Sequence, residues 1–380
     1  MFWNKLIVNP MVMKLYLRKI SIRLCISGLF LLNCLSGFAQ FTETREFTRH
    51  FKIQPETRID ITNKYGRIEL NTWKKDSVVI RFKMEINEKK PDKLKKTLDN
   101  LDFDISNSQH YLIIKTQVDK ERSQVESELL KFKETMLQTN GSIRIDLTVW
   151  LPDNRELRLE NKFGDIIMGD YLGETQIVLS NGKLKAGDLP KRSSLNLSFA
   201  DANINNLPNA RIISNYSDIN LKNSGTLRLE SKSSTIEIQN SEDLSIDSRR
   251  DKFRIRQVEK MDAAGNFSHF MVAELKNKAN IRLSYGSLDI EKILTAFSSI
   301  YVESRSTDVN LYFSPESKFN FQITETKTDL NLGRELSIED KEILDSKVNK
   351  IRHSGYFGKK MKEDQLIINA VGGETNVLAY

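Results

Sequence analysis

Cysteine is scarce in this chain, with two residues among 380, Cys25 and Cys34. Both lie in the apolar N-terminal segment, which we expect to be removed after export. The remaining chain then has no cysteine, which excludes disulfide bonds, thiol catalysis and cysteine-based metal sites. An exported protein without cysteines is more typical of the bacterial envelope than of a eukaryotic extracellular module.

The motifs of the common enzyme and cofactor classes are absent as well. The sequence has no GxSxG elbow, no Walker loop, no GxGxxG turn before a helix, no EF-hand loop and no GGxGxD calcium repeat. The four histidines show no HxxxH spacing and are interpreted as ordinary strand or surface residues: His50, His110, His269 and His353. We therefore expect no enzymatic activity, no cofactor and no metal site.

The one long apolar segment lies at the N-terminus and has the features of a secretory signal peptide. Twelve mainly apolar residues, Leu24 to Leu35, follow a basic region, and this length is too short to span a bilayer comfortably. Gly37 and Ala39 place small residues before the expected cleavage point, which predicts a mature chain that begins at Gln40. The basic residues are Lys14, Arg18, Lys19 and Arg23.

Removal of residues 1–39 changes the charge balance. The whole chain carries a net charge of +7, but the first 39 residues hold five basic residues and no acidic ones, so the mature chain is near +2. This balance gives no reason to expect nucleic-acid binding. Two alternatives stay open, an uncleaved anchor helix and a lipoprotein, although Asn33 before Cys34 fits the lipobox poorly.

A short phrase recurs down the chain, made of an alternating apolar pair, a polar corner and a second alternating apolar pair. Self-similarity at a short period indicates a repeat architecture, in which each unit buries its apolar face by stacking on its neighbours. The clear copies are ITNKYGRIEL at 61–70, LENKFGDIIM at 159–168, ISNYSDINL at 213–221, LESKSSTIEI at 229–238, VESRSTDVNL at 302–311 and ITETKTDLNL at 323–332.

The repeat period predicts the fold class. Successive corners are 16–21 residues apart, with one interval of 37 residues that fits two units. This period is too short for a helix pair or a propeller blade, and the apolar spacing inside each unit is two, as in a strand. We predict an all-β fold, a single-chain β-solenoid (β-helix) of about ten short coils, roughly 50 Å long at about 4.8 Å per coil. An ordinary β-sandwich or barrel is the alternative.

The chain divides into four predicted regions. They are a signal peptide at 1–39, an N-terminal α/β cap at 40–150, the β-solenoid at 151–332, and a C-terminal loop or helix with closing strands at 333–380. The cap is needed because a terminal coil would otherwise expose apolar surface and an unpaired strand edge. Apolar spacings of three and four predict two cap helices, over 88–102 and 119–138, and Ser337 is expected to begin a short helix that ends near Lys347.

The polar corner residues are assigned a structural role. Asn, Asp and Gly accept left-handed or side-chain-bonded turn conformations that β-branched residues resist. The corner residues singled out are Asn63, Gly66, Asn161, Gly164, Asn181, Gly182, Asn215, Asp218 and Gly286.

Two further sets of corner residues could carry chemistry. Stacked coils could align the acidic set, Asp165, Asp201, Asp218, Asp308 and Asp329, into a calcium ladder or a catalytic carboxylate pair. We expect these residues instead to stabilise the turns by bonding their own backbone. The aromatic set, Tyr65, Phe163, Phe199, Tyr216 and Tyr285, could stack on sugar rings if exposed, but we expect it to pack between coils at the ends of the core.

Three segments together resemble a bacterial putative-adhesin family. They are NKYGRIELNTWKKDSVVIRFKMEI at 63–86, LENKFGDIIMGDYLGETQIVLSNGKLKAGDL at 159–189, and the closing strand, Gly-Gly pair and strand in INAVGGETNVLAY at 368–380. The family comprises exported Gram-negative envelope proteins similar to the head domains of auto-transporter adhesins. The resemblance covers most of the mature chain but rests on structural corners, so it implies a fold and no catalytic residue. The helical insert at 88–138 departs from the family pattern.

The resemblance and the absent motifs together set the functional expectation. We expect an exported, non-enzymatic β-solenoid that acts as a binding, adhesin-like or scaffold module at the bacterial envelope, in the periplasm, at the outer-membrane surface or outside the cell. The partner classes are a glycan, a surface polymer or an envelope protein, with neither a nucleic acid nor a membrane span in the mature chain. A polysaccharide-processing enzyme on a β-helix scaffold and an envelope-stress signalling component are the alternatives.

Overall fold

The computed structural model describes residues 41–99, 101–118, 141–362 and 364–380. Within these ranges the chain forms twenty-four strands and one helix, and all the strands belong to one mostly parallel sheet. The all-β prediction is therefore confirmed, and the architecture is consistent with a β-solenoid. Of the two predicted cap helices, the structure contains a helix within 88–102, and the one predicted at 119–138 lies outside the described residues.

The first elements form the N-terminal end of the sheet. They are β1 Phe41–Lys52, β2 Arg58–Lys64, β3 Ile68–Trp73, β4 Ser77–Glu88, α1 Pro91–Asp99, β5 Leu101–Asn107, β6 Tyr111–Val118, β7 Gly141–Pro152, β8 Leu157–Lys162 and β9 Ile166–Met168. The central strands are β10 Thr175–Asp188, β11 Ser193–Asn215, β12 Asp218–Lys232, β13 Thr235–Arg249, β14 Lys252–Asn266 and β15 His269–Ser284. The C-terminal strands are β16 Ser287–Ile293, β17 Ser299–Arg305, β18 Asp308–Phe313, β19 Phe319–Thr326, β20 Asp329–Leu332, β21 Leu336–Asp345, β22 Lys350–Phe357, β23 Asp364–Val371 and β24 Glu374–Ala379.

The central coils repeat in strict parallel register. Asp218 pairs with Thr235, Thr235 with Lys252 and Lys252 with His269, which is a step of 17 residues each time. The 37-residue sequence interval is indeed two coils, because Ile246 pairs with Ala263 and Ala263 pairs with Ile281. The apolar signal fades there because small alanines replace the larger residues.

Columns of apolar side chains fill the inside of the coils. Ile219, Ile236, Phe253, Phe270 and Leu288 lie one above the other in successive coils and are all almost completely buried. The rings of Phe253 and Phe270 stack with their centroids 4.6 Å apart. Each coil therefore completes the core of its neighbours, since a large apolar side chain contributes about 1.5–3 kcal/mol when fully buried.

The N-terminal end departs from simple coiling. The segment β2–β3 stacks directly on β8–β9, with Ile59 opposite Leu157 and Ile68 opposite Ile166. On its other side, β2 pairs with β6 and β3 pairs with β7, both in parallel. The N-terminal end of the sheet then continues with antiparallel pairs of β5 with β6, β4 with β7 and β1 with β4. The helix α1 is shorter than predicted because Leu101 belongs to β5, where it pairs with Val118.

The C-terminal end contains an inserted coil. Strand β23 lies between β17 and β19, and β24 lies between β18 and β20, so the last residues fill a gap between two earlier coils. The helix predicted from Ser337 to about Lys347 is wrong. This segment is β21, paired antiparallel with β22, because the free edge of β22 supplies backbone partners that outweigh local helix propensity.

Among the residues that the structure describes, no helix has both the length and the apolar character needed to cross a membrane.

Candidate functional site

From the β2–β3 coil onward, one corner of the described coils is built on residues in the left-handed backbone region. Twelve such corners stack along the described part of the chain, and their backbone φ angles lie between 46° and 68°. In spatial order they are Tyr65, Phe163, Asn181, Phe199, Tyr216, Ser233, Arg250, Phe267, Tyr285, Ser306, Gly372 and Lys327. We call this stack the left-handed corner.

Backbone hydrogen bonds hold the left-handed corner together. The N–H of Tyr216 donates to the carbonyl of Lys232 in the next coil at 2.9 Å, and Phe267 donates to Ser284 in the same way at 2.9 Å. The inserted C-terminal coil continues the series, since Gly372 donates to Thr326 at 2.9 Å. The left-handed backbone is therefore required by the stacking of the coils, whichever side chain stands there.

Six of the twelve corner residues are aromatic, and their rings point outward. Three stacked pairs form, with ring centroids 5.6 Å, 5.1 Å and 5.1 Å apart in the order Tyr65–Phe163, Phe199–Tyr216 and Phe267–Tyr285. The planes of Phe199 and Tyr216 differ by 4°. Five of the six rings belong to side chains between 43% and 59% exposed, and Tyr65 is half-buried. We call these six residues the aromatic edge.

The expectation that the aromatic residues pack at the ends of the core is wrong. They lie outside the core and contact one another across neighbouring coils. Phe267 belongs to the same edge and was missed in the sequence, because its coil has weak apolar residues. The signal that could have found it is its position 17 residues after Arg250, directly before the small residue Ser268.

The predicted corner glycines follow the left-handed residues rather than occupying that conformation themselves. A Cβ on Gly164 would lie 1.8 Å from the carbonyl oxygen of Gly66, and one on Gly66 would lie 2.0 Å from that of Ile145. A Cβ on Gly182 would lie 2.0 Å from the carbonyl oxygen of Gly164, and one on Gly286 would lie 1.9 Å from that of Ser268. These glycines are needed because two coils approach closely.

The predicted corner asparagines occupy three different positions. Asn63 and Asn161 are buried, and their side-chain amides donate to the carbonyls of Ile145 and Gly66 at 2.9 Å and 2.8 Å. Asn181 is itself an exposed left-handed corner residue, and Asn215 is half-buried just before Tyr216. The structure thus brings these residues to one corner, although only some of them share a column.

A buried polar network lies inside the corner at the middle of the rod. Asp251 is completely buried, and its carboxylate accepts hydrogen bonds from the hydroxyls of Ser231 and Ser248 at 2.7 Å and 2.6 Å. It also accepts from the backbone N–H groups of Ser234 and Arg249, at 2.7 Å and 2.9 Å. In the coils on either side of it, Ser234 and Ser268 stand at the equivalent position.

The acidic set forms an interrupted column two residues after the left-handed corner. Asp201 and Asp218 are opposite each other in neighbouring coils, whereas Lys183, Thr235 and Lys252 continue the same column. The carboxylate of Asp165 accepts from the backbone N–H of Lys183 at 3.0 Å, so it bonds the next coil rather than its own turn. Among the described residues no group of three or more His, Cys, Asp or Glu is placed to hold a metal ion.

Four cations surround the left-handed corner between the second and third aromatic pairs. They are Lys232, Arg249, Arg250 and Lys252, which we call the cationic patch; Lys232 is half-buried and the other three are exposed. No acidic side chain of the described residues forms an ion pair with any of them. Three acids lie near the patch in sequence: Glu230, which is paired with Arg211 at 2.8 Å, the exposed Asp247 and the buried Asp251.

A charged groove lies near the N-terminal end, lined by Glu46, Arg67, Glu69, Arg81 and Asp146 among others. Two of its acids have partners: Asp146 accepts from the Arg67 backbone N–H and from the Arg144 guanidinium, at 2.9 Å and 2.8 Å, and Glu46 lies 3.9 Å from the Arg81 guanidinium.

The four histidines are not brought together. His50, His110 and His269 are exposed on separate strands or loops, and His353 is buried on β22 with its Nε2 3.8 Å from Glu325. These placements give no reason to assign chemistry to any of the four.

Comparisons with known proteins add little to this picture. No family model matches the chain, and no curated protein matches it. Among solved structures, the chain matches a putative cell adhesion protein from Clostridium sporogenes at 11% identity, over 89% of this chain and 100% of that one. The TM-score is 0.18, which is too low to support any conclusion about fold or function.

Proposed function

We propose that the protein is an exported, non-enzymatic β-solenoid that binds a glycan at the bacterial cell envelope through the aromatic edge. The observation that carries this proposal is the placement of exposed, stacked aromatic rings at left-handed backbone positions. Export rests on the predicted signal peptide alone, and the absence of catalysis is supported by the lack of enzyme motifs in the sequence.

The left-handed backbone conformation makes aromatic residues at these corners unfavourable for folding. An L-residue with a bulky side chain costs roughly 1–2 kcal/mol in the left-handed region, whereas glycine occupies it freely and asparagine with less strain. Stacking of two rings returns only about 0.5–1.5 kcal/mol per pair. Asn181, Ser233 and Gly372 show that other residues fit the same corner. The rings are therefore better explained by binding than by folding.

The arrangement of the rings fits an elongated ligand. The six rings lie along one corner of the stack, and coils about 4.8 Å apart place the first ring some 38 Å from the last. Five of the six side chains are between 43% and 59% exposed, and aromatic ring surface suits the apolar C–H face of a sugar. The polar residues beside the rings, Asp201 and Asp218 next to Phe199 and Tyr216, supply acceptors for sugar hydroxyl groups.

The experiment separates binding from stability. Purified protein would be tested by affinity electrophoresis and calorimetry against linear polysaccharides, namely a β-glucan, chitin oligomers, peptidoglycan strands and polygalacturonate. Replacing Phe199 and Tyr216 together by Asn removes two rings but keeps residues that tolerate the left-handed region. At about 0.5–1.5 kcal/mol per ring contact, we expect affinity to fall roughly tenfold or more, with the fold retained.

A matched control tests whether any exposed ring would have the same effect. Tyr111 is 53% exposed on β6 and does not belong to the aromatic edge, so Tyr111→Asn should leave binding unchanged. An equal loss of affinity in the double variant and in Tyr111→Asn, or binding to none of the polysaccharides, would contradict the proposal. No observation on the described residues favours the alternatives of a polysaccharide-processing enzyme or a signalling component.

A further inference from the structure

The aromatic edge is interrupted in its middle by a surplus of positive charge. Between the Phe199–Tyr216 pair and the Phe267–Tyr285 pair, the corner residues are Ser233 and Arg250. Lys232, Arg249 and Lys252 flank these two corners and complete the cationic patch. Counted with Asp247 and Asp251, four positive and two negative groups leave a local charge of +2. Glu230, two residues before Lys232, is left out of this count because it is paired with Arg211 at 2.8 Å.

Because Asp251 is buried, the excess of positive charge is larger at the protein surface than the local count gives. The carboxylate of Asp251 faces inward and is occupied by two serine hydroxyls and two backbone N–H groups, so its side chain makes no contact with a ligand outside. Two neighbouring arginines are paired with acids: Arg254 contacts Glu237 at 2.9 Å, and Arg211 contacts Glu230 at 2.8 Å. The cations of the patch have no such partners among the described residues.

We infer that the ligand of the aromatic edge is an acidic polysaccharide, whose carboxylate, sulfate or phosphate groups bind the cationic patch while its sugar rings stack on the aromatic pairs at either side. This inference rests on the proposed glycan binding. Three coil spacings, about 14 Å, separate the rings of Tyr216 and Phe267, which leaves room for more than one sugar ring over the patch. Arginine suits planar anions because its guanidinium donates two parallel hydrogen bonds.

The charge pattern along the edge distinguishes a polysaccharide from a single-stranded nucleic acid. A nucleic acid carries a negative charge on every unit and is bound by grooves that are positive along their whole length. Here the cations of the corner, which include Lys64 and Lys162 beside the first aromatic pair, are interrupted by acids. Asp165, Asp201 and Asp218 stand beside the first two aromatic pairs, whereas the cationic patch has no ion-paired acid. A polymer with separated acidic groups and neutral stretches meets this pattern without repulsion.

The test compares one polymer in charged and neutral forms. Polygalacturonate and its carboxyl-reduced counterpart share the backbone, so calorimetry against both at low and high salt isolates the charge. We expect the acidic form to bind at least tenfold more tightly at low salt, and the difference to shrink as salt screens the exposed charges. The double variant Arg249→Gln, Arg250→Asn should remove most of the difference, since asparagine also accepts the left-handed corner.

Lys260→Gln is the matched control. Lys260 is exposed and lies seven residues before Phe267, about 23 Å along the strand at about 3.3 Å per residue, so its loss should change neither affinity nor salt dependence. Equal binding of the acidic and neutral polymers through the aromatic edge would overturn this inference and leave the proposed function standing. Binding of neither polymer while a neutral polysaccharide binds the aromatic edge would also overturn this inference alone. Binding of no polysaccharide, or tighter binding of oligothymidylate than of any polysaccharide, would overturn the proposal of a glycan ligand as well.

Discussion

Replacing Gly164 by alanine should weaken the N-terminal half of the rod far more than the same change at Gly169. At Gly164 the new Cβ would lie 1.8 Å from the carbonyl oxygen of Gly66, whereas at Gly169 it would meet nothing within 4 Å. Neither glycine has a left-handed φ, so the two substitutions change the unfolded chain equally and differ only in the folded state.

The size of the effect follows from how far the coils must separate. To bring the contact to 3.0 Å, the shortest distance that real Cβ atoms show, the two backbones must move apart by 1.2 Å. Three hydrogen bonds span this junction: Asn161 to Gly66 at 2.8 Å, Tyr65 to Lys162 at 2.9 Å and Ile68 to Asp165 at 2.8 Å. Each contributes about 1 kcal/mol, and a buried amide left unpaired adds about 1–3 kcal/mol. We therefore expect a loss of about 4–6 kcal/mol.

Urea denaturation and hydrogen exchange would measure this loss. Gly164→Ala should lower the denaturation midpoint and remove exchange protection at the amides of Tyr65 and Ile68, which donate across the junction. Gly169→Ala should be neutral or stabilising by up to about 1 kcal/mol, because alanine restricts the unfolded chain. Equal midpoints for the two variants would refute the reasoning that close approach of the coils requires glycine at this position.

Three further predictions concern the buried interior and the C-terminal end. Asp251→Ala should cost about 3 kcal/mol, since the Ser231 hydroxyl and the N–H groups of Ser234 and Arg249 lose their acceptor, whereas Ser248 keeps Ser268. Asp251→Ser should cost less because serine occupies this position in the neighbouring coils, and similar urea midpoints for the two variants would contradict this. Burial raises the pKa of Tyr171 well above its ordinary value of 10.0, and its hydroxyl donates to the carbonyl of Arg155 at 2.7 Å. The stability that depends on the neutral phenol is therefore fully present below about pH 10 and is lost as the pH rises further. Tyr171→Phe should cost about 1 kcal/mol at pH 8 and flatten the decline in stability above about pH 10. An unchanged slope of the urea midpoint against alkaline pH would count against this prediction. Removal of residues 364–380 should expose β17 and β19 to limited proteolysis, because β23 is the strand between them; protease resistance equal to that of the full chain would show that the coils close without it.

Much of the fold could be predicted from local patterns. Alternation of apolar residues with period two predicts strands, and recurrence every 16–21 residues predicts stacked coils, because a parallel stack places equivalent residues in one column. The paired register of the central strands agrees with this, including the interval of 37 residues that holds two coils. The segment at 337–347 shows the limit of local patterns, since a helix-compatible sequence became the strand β21 when β22 supplied backbone partners.

The candidate site was only partly visible in the sequence. Five of the six rings of the aromatic edge were recognised as corner residues, yet they were expected to pack at the ends of the core. Sequence spacing gives the order of residues around a corner but not which of them turns outward. That depends on the left-handed φ of Phe163, Phe199 and the others, which arises only when each corner N–H donates to the coil above it.

The sequence by itself determined that the chain is a stack of short β coils, since period and alternation are properties of a single strand and its repeat. Only the tertiary structure decided the line of the aromatic rings, the inward position of Asp251 and the insertion of the last coil between two earlier ones. Each of these depends on contacts between residues far apart in the chain, as when Val371 accepts from Ser306 and Gly372 donates to Thr326. Local propensity carries no information about such contacts, because they come into existence only when the coils stack.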